Sequence, residues 1–308
     1  MVVKFFAAVV TYAAIAVLGW GPAHAQAAGA EALTLRKILE SGVVSVGYRD
    51  GSVPFSYLDE HQRPVGYSLD ICLRVVDAIQ QRLLPRRIEV RWVPVTPATR
   101  IPLVVNGTID LECGVTTNTL ERQKQVAFTV TTFVTRGKMM WKRSSGFASI
   151  ADLRGRAIVS TVGTTNIQQL DVFNNQSAMD WKIIAARDDA QAFRMVQADR
   201  ASAYAMDDVL LKSAIVGSSD PAEFVISDDA LSVEPYAIAL RRNDPEFKRL
   251  ADDAIVALFR DGEINRIYRR WFQSPVPPRG INLQMPMSAA LERVIATPTD
   301  RGDPGAYR

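Results

Sequence analysis

A strand, a turn with hydroxyl side chains and the start of a helix follow one another between residues 106 and 123. Apolar and polar residues alternate from 109 to 115, a period of two that is typical of a β-strand. Asn118 and Glu121 then have the spacing of a capping box, which predicts that a helix begins at Asn118. Because free N–H groups point out of a helix N-terminus, such a turn can bind a carboxylate or a phosphate. This order of elements is typical of an α/β fold.

A second stretch has the same arrangement. Residues 157–160 predict a strand, Thr164 and Thr165 form the turn, and a helix is expected over 166–173. Like the first turn, this one offers hydroxyl and backbone donors at a helix N-terminus. Helix capping alone is the alternative explanation for the threonines of either turn.

Charged residues follow two further predicted strands. Arg49 comes shortly after the strand predicted over 43–47, and Asp207 follows the strand predicted over 201–206. Open α/β sheets bind ligands outside the carboxyl ends of their strands. Both side chains are therefore candidates for a binding site.

Arg100 lies near the start of a short helix that we expect to open within residues 96–102. The helix dipole does not favour a cation at that end. The position therefore indicates that Arg100 pairs with a bound anion. A surface arginine without a ligand is the alternative.

The chain begins with the features of a secretory signal peptide. Lys4 precedes an apolar run over residues 5–20, and Ala23-His24-Ala25 has the small-x-small pattern of a cleavage site. The alternative is a membrane anchor, but the run is shorter than the roughly 20 residues that a span requires. We expect cleavage near Ala25 and export of the remaining chain.

Charge and cysteine content narrow the function further. The formal net charge is +3 and the basic residues are scattered, which argues against a nucleic-acid binder. Cys72 and Cys113 are the only cysteines. In an oxidising compartment they can form a disulfide, and two buried thiols are the alternative. Two cysteines without a set of histidine partners do not predict a metal site.

Several stretches resemble one protein family in the same order along the chain. They are "GVVSVGYRDGSVPFSYLD", "PVGYSLDIC", "RIPLVVNGTIDLECGVTTNTLERQKQVAF", "DLRGRAIVSTVGTT", "AYAMDD" and "DGEINRIYRRWFQSPVPP". They resemble the periplasmic solute-binding proteins of polar amino-acid ABC transporters, especially the glutamate/aspartate-binding branch. The resemblance runs from about Leu33 to Pro278, nearly the whole exported chain.

The resemblance implies an α/β periplasmic-binding-protein fold of type II, in which two lobes are joined by a two-strand hinge. Two lobes that close on a small ligand enclose it from water. The expected divisions are a signal peptide (1–25), the first part of lobe 1 (26–136), lobe 2 (137–235), a return segment of lobe 1 (236–275) and a C-terminal tail (276–308). We expect the tail to be disordered after Thr297.

An amino-acid ligand requires an anion clamp, a carboxylate for its ammonium group and a side-chain pocket. By the resemblance, Arg100 binds the α-carboxylate through two parallel hydrogen bonds. Asp207 pairs with the ammonium group, helped by the backbone carbonyl of Val115. Thr117 and the turn Thr164–Thr165 add donors from opposite lobes.

The side-chain pocket departs from the glutamate/aspartate branch. Arg49 occupies the position that meets the distal carboxylate, but Pro97 and Val115 stand where the branch tends to have serine, and Asp189 where it tends to have histidine. If Asp189 faces the pocket, it can pair with Arg49, and a neutral polar or cationic side chain fits better. If Asp189 turns to solvent or pairs with Arg187, an acidic ligand remains the expectation.

The resulting prediction is a periplasmic binding component of an amino-acid importer. Its implied partners are the amino acid and an inner-membrane permease with its ATPase, and we expect a monomer without cofactor or metal. The alternative is an enzyme on the same fold that resembles cyclohexadienyl dehydratases. Glu112, Asp189 or Asp207 would then serve as acid or base.

Overall fold

The structure is a computed structural model that describes residues 33–307. The predicted signal peptide lies outside the described residues. The helices are α1 (Leu33–Ser41), α2 (Tyr67–Arg82), α3 (Arg100–Val105), α4 (Leu120–Gln123), α5 (Thr165–Ser177), α6 (Asp189–Gln197), α7 (Asp208–Val216), α8 (Pro245–Arg260), α9 (Glu263–Phe272) and α10 (Ala289–Ala296). Within this part of the chain, none of the helices has the length and apolar character required to cross a membrane.

The described residues also form fourteen strands and four short 3-10 helices. The strands are β1 (Val43–Tyr48), β2 (Gly51–Ser52), β3 (Ser56–Leu58), β4 (Pro64–Val65), β5 (Glu89–Pro94), β6 (Leu111–Glu112), β7 (Val126–Phe128), β8 (Phe133–Lys142), β9 (Ala157–Thr161), β10 (Lys182–Ala186), β11 (Ala203–Asp207), β12 (Phe224–Ile226), β13 (Ser232–Tyr236) and β14 (Ala239–Arg241). Strands β2, β3 and β4 form a small antiparallel sheet.

Lobe 1 is built on a five-stranded sheet of order β5-β1-β6-β14-β7. Strand β1 runs parallel to both of its neighbours, and its Val44 and Val46 are fully buried. Alternate apolar residues along a buried strand remove hydrocarbon from water, which stabilises the sheet against its helices. The carboxyl ends of β1 and β6 therefore lie at the same edge of this sheet.

Lobe 2 is built on a second sheet of order β10-β9-β11-β8-β12, with β13 also paired to β8. Strands β9, β10 and β11 are mutually parallel, whereas β8 runs antiparallel to β11. The residues that form its separate core include Met139, Trp141, Ile158, Leu170 and Ala203. Two sheets with parallel strands and covering helices confirm the predicted α/β class with two lobes.

The chain passes between the lobes through β8 and β13. These strands pair antiparallel from Phe133 opposite Tyr236 to Gly137 opposite Ser232. Phe133 packs within the aromatic core of lobe 1, where its ring centroid lies 4.8 Å from that of Phe55. Two adjacent strands that pass between the lobes and are anchored in one core form a connection about which the lobes can rotate, as a hinge requires. The lobe boundaries proposed from the sequence stay predictions.

The helix after the β6 turn begins one residue later than the capping-box spacing predicts. Thr119 is the N-cap, and its hydroxyl accepts a hydrogen bond of 3.1 Å from the Arg122 N–H. The Asn118 amide instead donates to the carbonyl of Asp300 at 2.8 Å. The Asn118 Oδ1, the atom that would cap the helix, accepts from the Gln123 side chain at 2.9 Å, and Thr119 is the cap in its place.

The C-terminal tail differs from the expectation of disorder after Thr297. The Thr131 N–H donates to the Thr299 carbonyl at 2.8 Å, and the hydroxyl oxygens of Thr131 and Tyr307 are 2.8 Å apart. Tyr307 is buried against Val134 at the start of β8 and Val294 of α10. The tail therefore packs beside the hinge, because its aromatic end finds a partly apolar site there.

A disulfide joins Cys72 of α2 to Cys113, which follows β6, with a Cα–Cα distance of 6.2 Å. Of the two alternatives that the sequence left open, the structure has the bridge. Both residues are buried in the lobe 1 core. The bridge ties the turn after β6 to the longest helix beside it.

Replacing both cysteines by alanine (C72A/C113A) should lower the free energy of unfolding by about 2–5 kcal/mol, since a cross-link restricts the unfolded chain. Urea unfolding of the oxidised wild type and of the variant measures this difference. As a control, reductant should destabilise the wild type and leave the variant unchanged. Equal stabilities of the two oxidised proteins would contradict the prediction.

Candidate functional site

The carboxyl ends of β1 and β6 face those of β9 and β11 across the gap between the lobes. A small cavity lies there. It is lined by all eight residues predicted from the sequence: Arg49, Arg100, Val115, Thr117, Thr164, Thr165, Asp189 and Asp207. Asn166, Met206 and Leu210 complete the lining. The free space between these side chains is about 10 Å³, roughly enough for one water molecule, so an amino acid fits only if the lobes move apart.

Arg100 is the first residue of α3, and its side chain is only 2% exposed. One terminal nitrogen, Nη1, donates to the Val115 carbonyl at 2.7 Å. Its Nε is buried without a hydrogen-bond partner among residues 33–307. Burial, with a smaller contribution from the nearby Arg122 cation, lowers the pKa of Arg100 to about 9. A bound anion would relieve this cost, because a buried charge is stable only when it is paired.

Asp207 is the last residue of β11 and is 4% exposed. Asn166 donates to its Oδ1 at 3.0 Å, and the Tyr236 hydroxyl donates to its Oδ2. Burial and then the Glu234 carboxylate raise the pKa of Asp207 to about 7, although these two hydrogen bonds act in the opposite direction. A cation at this carboxylate would favour its ionised form.

The threonines of the two turns meet across the gap. The hydroxyl oxygens of Thr117 and Thr165 are 3.4 Å apart, and Thr165 also donates to Glu234 at 2.7 Å. Thr164 caps α5, because its hydroxyl accepts from the Ile167 N–H at 3.3 Å. Capping therefore accounts for the Thr164 side chain, whereas the Thr117 and Thr165 hydroxyls face each other between the lobes.

Arg49 and Asp189 lie at the other end of the cavity. Their Nη2 and Oδ2 atoms are 3.5 Å apart. Thr161 donates to the Oδ1 of Asp189 at 2.7 Å. Arg187 pairs with Asp188 instead, at 2.9 Å. Of the two orientations left open by the sequence, the structure has the one in which Asp189 faces the pocket and pairs with Arg49.

Gly163 lets the lobes approach closely. Its φ is +78°, and a Cβ there would lie 2.8 Å from the backbone carbonyl carbon of Pro97 and 2.7 Å from the amide nitrogen of Ala98. Only glycine adopts this conformation without strain while leaving room for the opposite backbone. Pro97, which departs from the branch pattern, thus contacts lobe 2 through its backbone.

Sequence reasoning missed Arg122, Asn166, Glu234 and Tyr236. Arg122 bridges the lobes, because it donates to the Thr117 carbonyl at 2.9 Å and to the Gly163 carbonyl at 3.3 Å. Because α4 has only one turn and Arg122 lies in its last turn, the helix dipole gives no signal for this residue. For Glu234, the only local signal in the sequence was that one acidic residue lies within the short strand β13.

Glu112, proposed for the enzyme alternative, does not line the cavity. It is fully buried, and its Oε1 accepts from the Gly114 N–H at 3.1 Å. Across residues 33–307, no group of three or more His, Cys, Asp or Glu side chains has an arrangement suited to a metal ion.

Comparison with known proteins yields relatives over most of the chain. An L-glutamate/L-aspartate-binding protein of Pseudomonas aeruginosa is 43% identical over 269 residues, which cover 87% of this chain and 89% of that protein. A glutamate/aspartate import solute-binding protein of Salmonella typhimurium is 40% identical over 92% of this chain and 94% of its own length. These relatives are transport binding proteins rather than enzymes.

Solved structures agree on the fold. An ancestral arginine-binding protein bound to arginine matches with a TM-score of 0.67 and 24% identity, covering 75% of this chain and 98% of that one. An ancestral amino acid-binding protein that is a precursor of cyclohexadienyl dehydratase matches with a TM-score of 0.67 and 24% identity, over 77% of this chain and 98% of its own. At this identity the likeness shows the fold alone, the two-lobed type II arrangement that the sequence predicts.

The family model of bacterial extracellular solute-binding proteins, family 3, matches residues 44–274. This range contains every residue that lines the cavity between the lobes. Taken with the relatives, the match shows that the chain belongs to the bacterial extracellular solute-binding proteins of family 3.

Proposed function

We propose that this protein is the periplasmic substrate-binding component of an amino-acid ABC importer. It captures a polar amino acid between its lobes and delivers it to an inner-membrane permease with its ATPase. The proposal includes export through the signal peptide over residues 1–25, action as a monomer and the lobe divisions expected from the sequence. Family membership and the names of the relatives support it.

The observation that carries the proposal is a pair of buried, opposite charges on different lobes. Arg100 of lobe 1 and Asp207 of lobe 2 line the same small cavity. An α-amino acid carries the complementary pair, a carboxylate and an ammonium group on one carbon. The carboxylate would bind Arg100 with Thr117 and Thr165, and the ammonium group would bind Asp207 with the Val115 carbonyl.

Contacts between the lobes support capture by closure. The Thr117–Thr165 approach and the bond from Arg122 to Gly163 join lobe 1 to lobe 2 around the cavity. Since the chain crosses twice, in β8 and β13, a small rotation there would open the gap. A ligand that contacts both lobes would favour the closed arrangement, because its affinity for the closed arrangement is greater than its affinity for the open one.

The relatives' names place glutamate and aspartate first among the ligands to be tested. In this assignment Arg49 would meet the distal carboxylate. A neutral polar amino acid is the second candidate, favoured by the contact of Arg49 with Asp189. A cationic amino acid is a weaker candidate, because Arg49 would repel it.

Replacing Arg100 by methionine (R100M) keeps much of the side-chain volume and removes the guanidinium group. We expect affinity for every bound amino acid to fall by at least about 100-fold, the usual scale for losing one partner of a buried charge pair. Calorimetry on refolded, ligand-free protein measures the change. The control R82M removes an exposed arginine of α2 and should bind as the wild type does. R100M affinity within threefold of wild type would contradict the assignment.

Affinity should also depend on pH. Since the pKa of Asp207 is raised to about 7, its proton must leave before it can pair with an ammonium group. Affinity is therefore lower below about pH 7, rises as the pH approaches that value and levels off above it. Calorimetry between about pH 5 and 8, in two buffers of different ionisation enthalpy, measures both the affinity and the proton released. An affinity that stays constant over this range would rule out the role of Asp207.

A further inference from the structure

The side-chain end of the cavity contains one cation and one anion in contact. Arg49 is 4% exposed, and its Nη2 lies 3.5 Å from the Asp189 Oδ2. The Arg49 Nε is buried and has no hydrogen-bond partner among the described residues. Because both residues line the cavity, this end of it, the side-chain subsite, combines guanidinium N–H donors with a carboxylate acceptor.

The orientation of Asp189 is held by the fold of lobe 2. Thr161 at the end of β9 donates to its Oδ1 at 2.7 Å, and the buried Tyr204 hydroxyl of β11 lies 3.3 Å from the same oxygen. Both contacts leave Oδ2 directed at Arg49. The nearest basic neighbour along the chain, Arg187, is engaged by Asp188 and does not draw Asp189 away.

The formal charges of the residues that line the cavity sum to zero when no ligand is bound. The ionisable residues that line it are Arg49, Arg100, Asp189 and Asp207. If Arg100 and Asp207 bind the α-carboxylate and the ammonium group, Arg49 and Asp189 remain, with a net charge of zero. A side-chain carboxylate would gain the attraction of Arg49 and suffer the repulsion of Asp189.

The size of this repulsion decides between acid and amide. Two like charges about 4 Å apart, at an effective dielectric constant near 20, repel by an amount equal to roughly a thousandfold in affinity, which offsets an attraction of the same scale by Arg49. A carboxamide carries no net charge and has both kinds of group that the subsite requires. Its carbonyl oxygen can accept from Arg49, and its NH₂ group can donate to Asp189.

We propose that the Arg49–Asp189 pair makes this site selective for amino acids with a carboxamide side chain, glutamine or asparagine, over the corresponding acids. This inference rests on the proposed function, because it assumes that an amino acid binds through Arg100 and Asp207. It assigns Asp189 as the residue that determines specificity at the side-chain end.

The test is a calorimetric series with glutamine, asparagine, glutamate and aspartate on ligand-free wild type, D189N and D171N. The wild type should bind the better amide at least about tenfold tighter than its acid. D189N removes the charge and keeps the shape, so it should shift the amide-to-acid ratio by at least about tenfold toward the acid. D171N is the matched control, because it makes the same change at an exposed residue of α5 in lobe 2, outside the cavity. Its ratio should equal that of the wild type.

Each outcome decides one point. Wild type that binds glutamate or aspartate as tightly as the amides overturns the proposed selectivity, and leaves the amino-acid function intact if R100M fails to bind them. A D189N ratio equal to that of the wild type overturns the role of Asp189. If none of the common amino acids binds the wild type, the proposed function itself fails. Because the wild-type series is informative by itself, a misfolded variant would not leave the selectivity untested.

Discussion

Two buried charges of opposite sign, held on different lobes and directed at one small cavity, are the constraint on which the rest of the structure depends. The Arg100 guanidinium and the Asp207 carboxylate are both almost fully removed from water. Burial lowers the pKa of Arg100 and raises the pKa of Asp207, so it favours the neutral form of each group. A protein keeps such groups where something compensates for their lost hydration. In the proposed function, the compensation is the head group of an amino acid.

The framework of lobe 1 fixes the partners of Arg100. The carbonyl that accepts from Arg100 belongs to Val115, two residues after the bridged Cys113. The disulfide therefore holds the turn after β6 against α2 at the point where the turn enters the site. On lobe 2, Asn166 and the strand end of β11 hold Asp207. In the proposed function, closure is a rotation of the lobes about β8 and β13, and the C-terminal tail packs beside those strands.

Local patterns in the sequence predict much of this structure. Strand periodicity followed by a turn and a helix start identified both threonine-bearing turns, and strand ends identified Arg49 and Asp207. These signals depend on residues a few positions apart, so they can be read without the fold. The position of Arg100 at the first residue of α3 follows from the same kind of local pattern. Assignment of ligand groups to these residues came from the family resemblance.

Other features depend on contacts between distant parts of the chain. The Asn118 amide group donates to the carbonyl of Asp300, far along the sequence, a contact that no local pattern predicts. Glu234 lies in the hinge strand β13 and accepts from Thr165, and Arg122 of lobe 1 donates to Gly163 of lobe 2, so no local pattern reveals their partners. The direction of Asp189 was open in the sequence, since Arg49 and Arg187 were both possible partners. The hydrogen bond from Thr161 on β9, which forms only in the folded lobe, determines the orientation of the Asp189 side chain.

The most direct test of the central claim is a crystal structure of the protein with its captured amino acid. The account predicts an α-carboxylate within hydrogen-bond distance of the Arg100 guanidinium and of the Thr117 or Thr165 hydroxyl. It also predicts an ammonium group beside the Asp207 carboxylate. A ligand bound outside the cavity between the lobes, or one whose charged groups avoid both Arg100 and Asp207, would contradict the account.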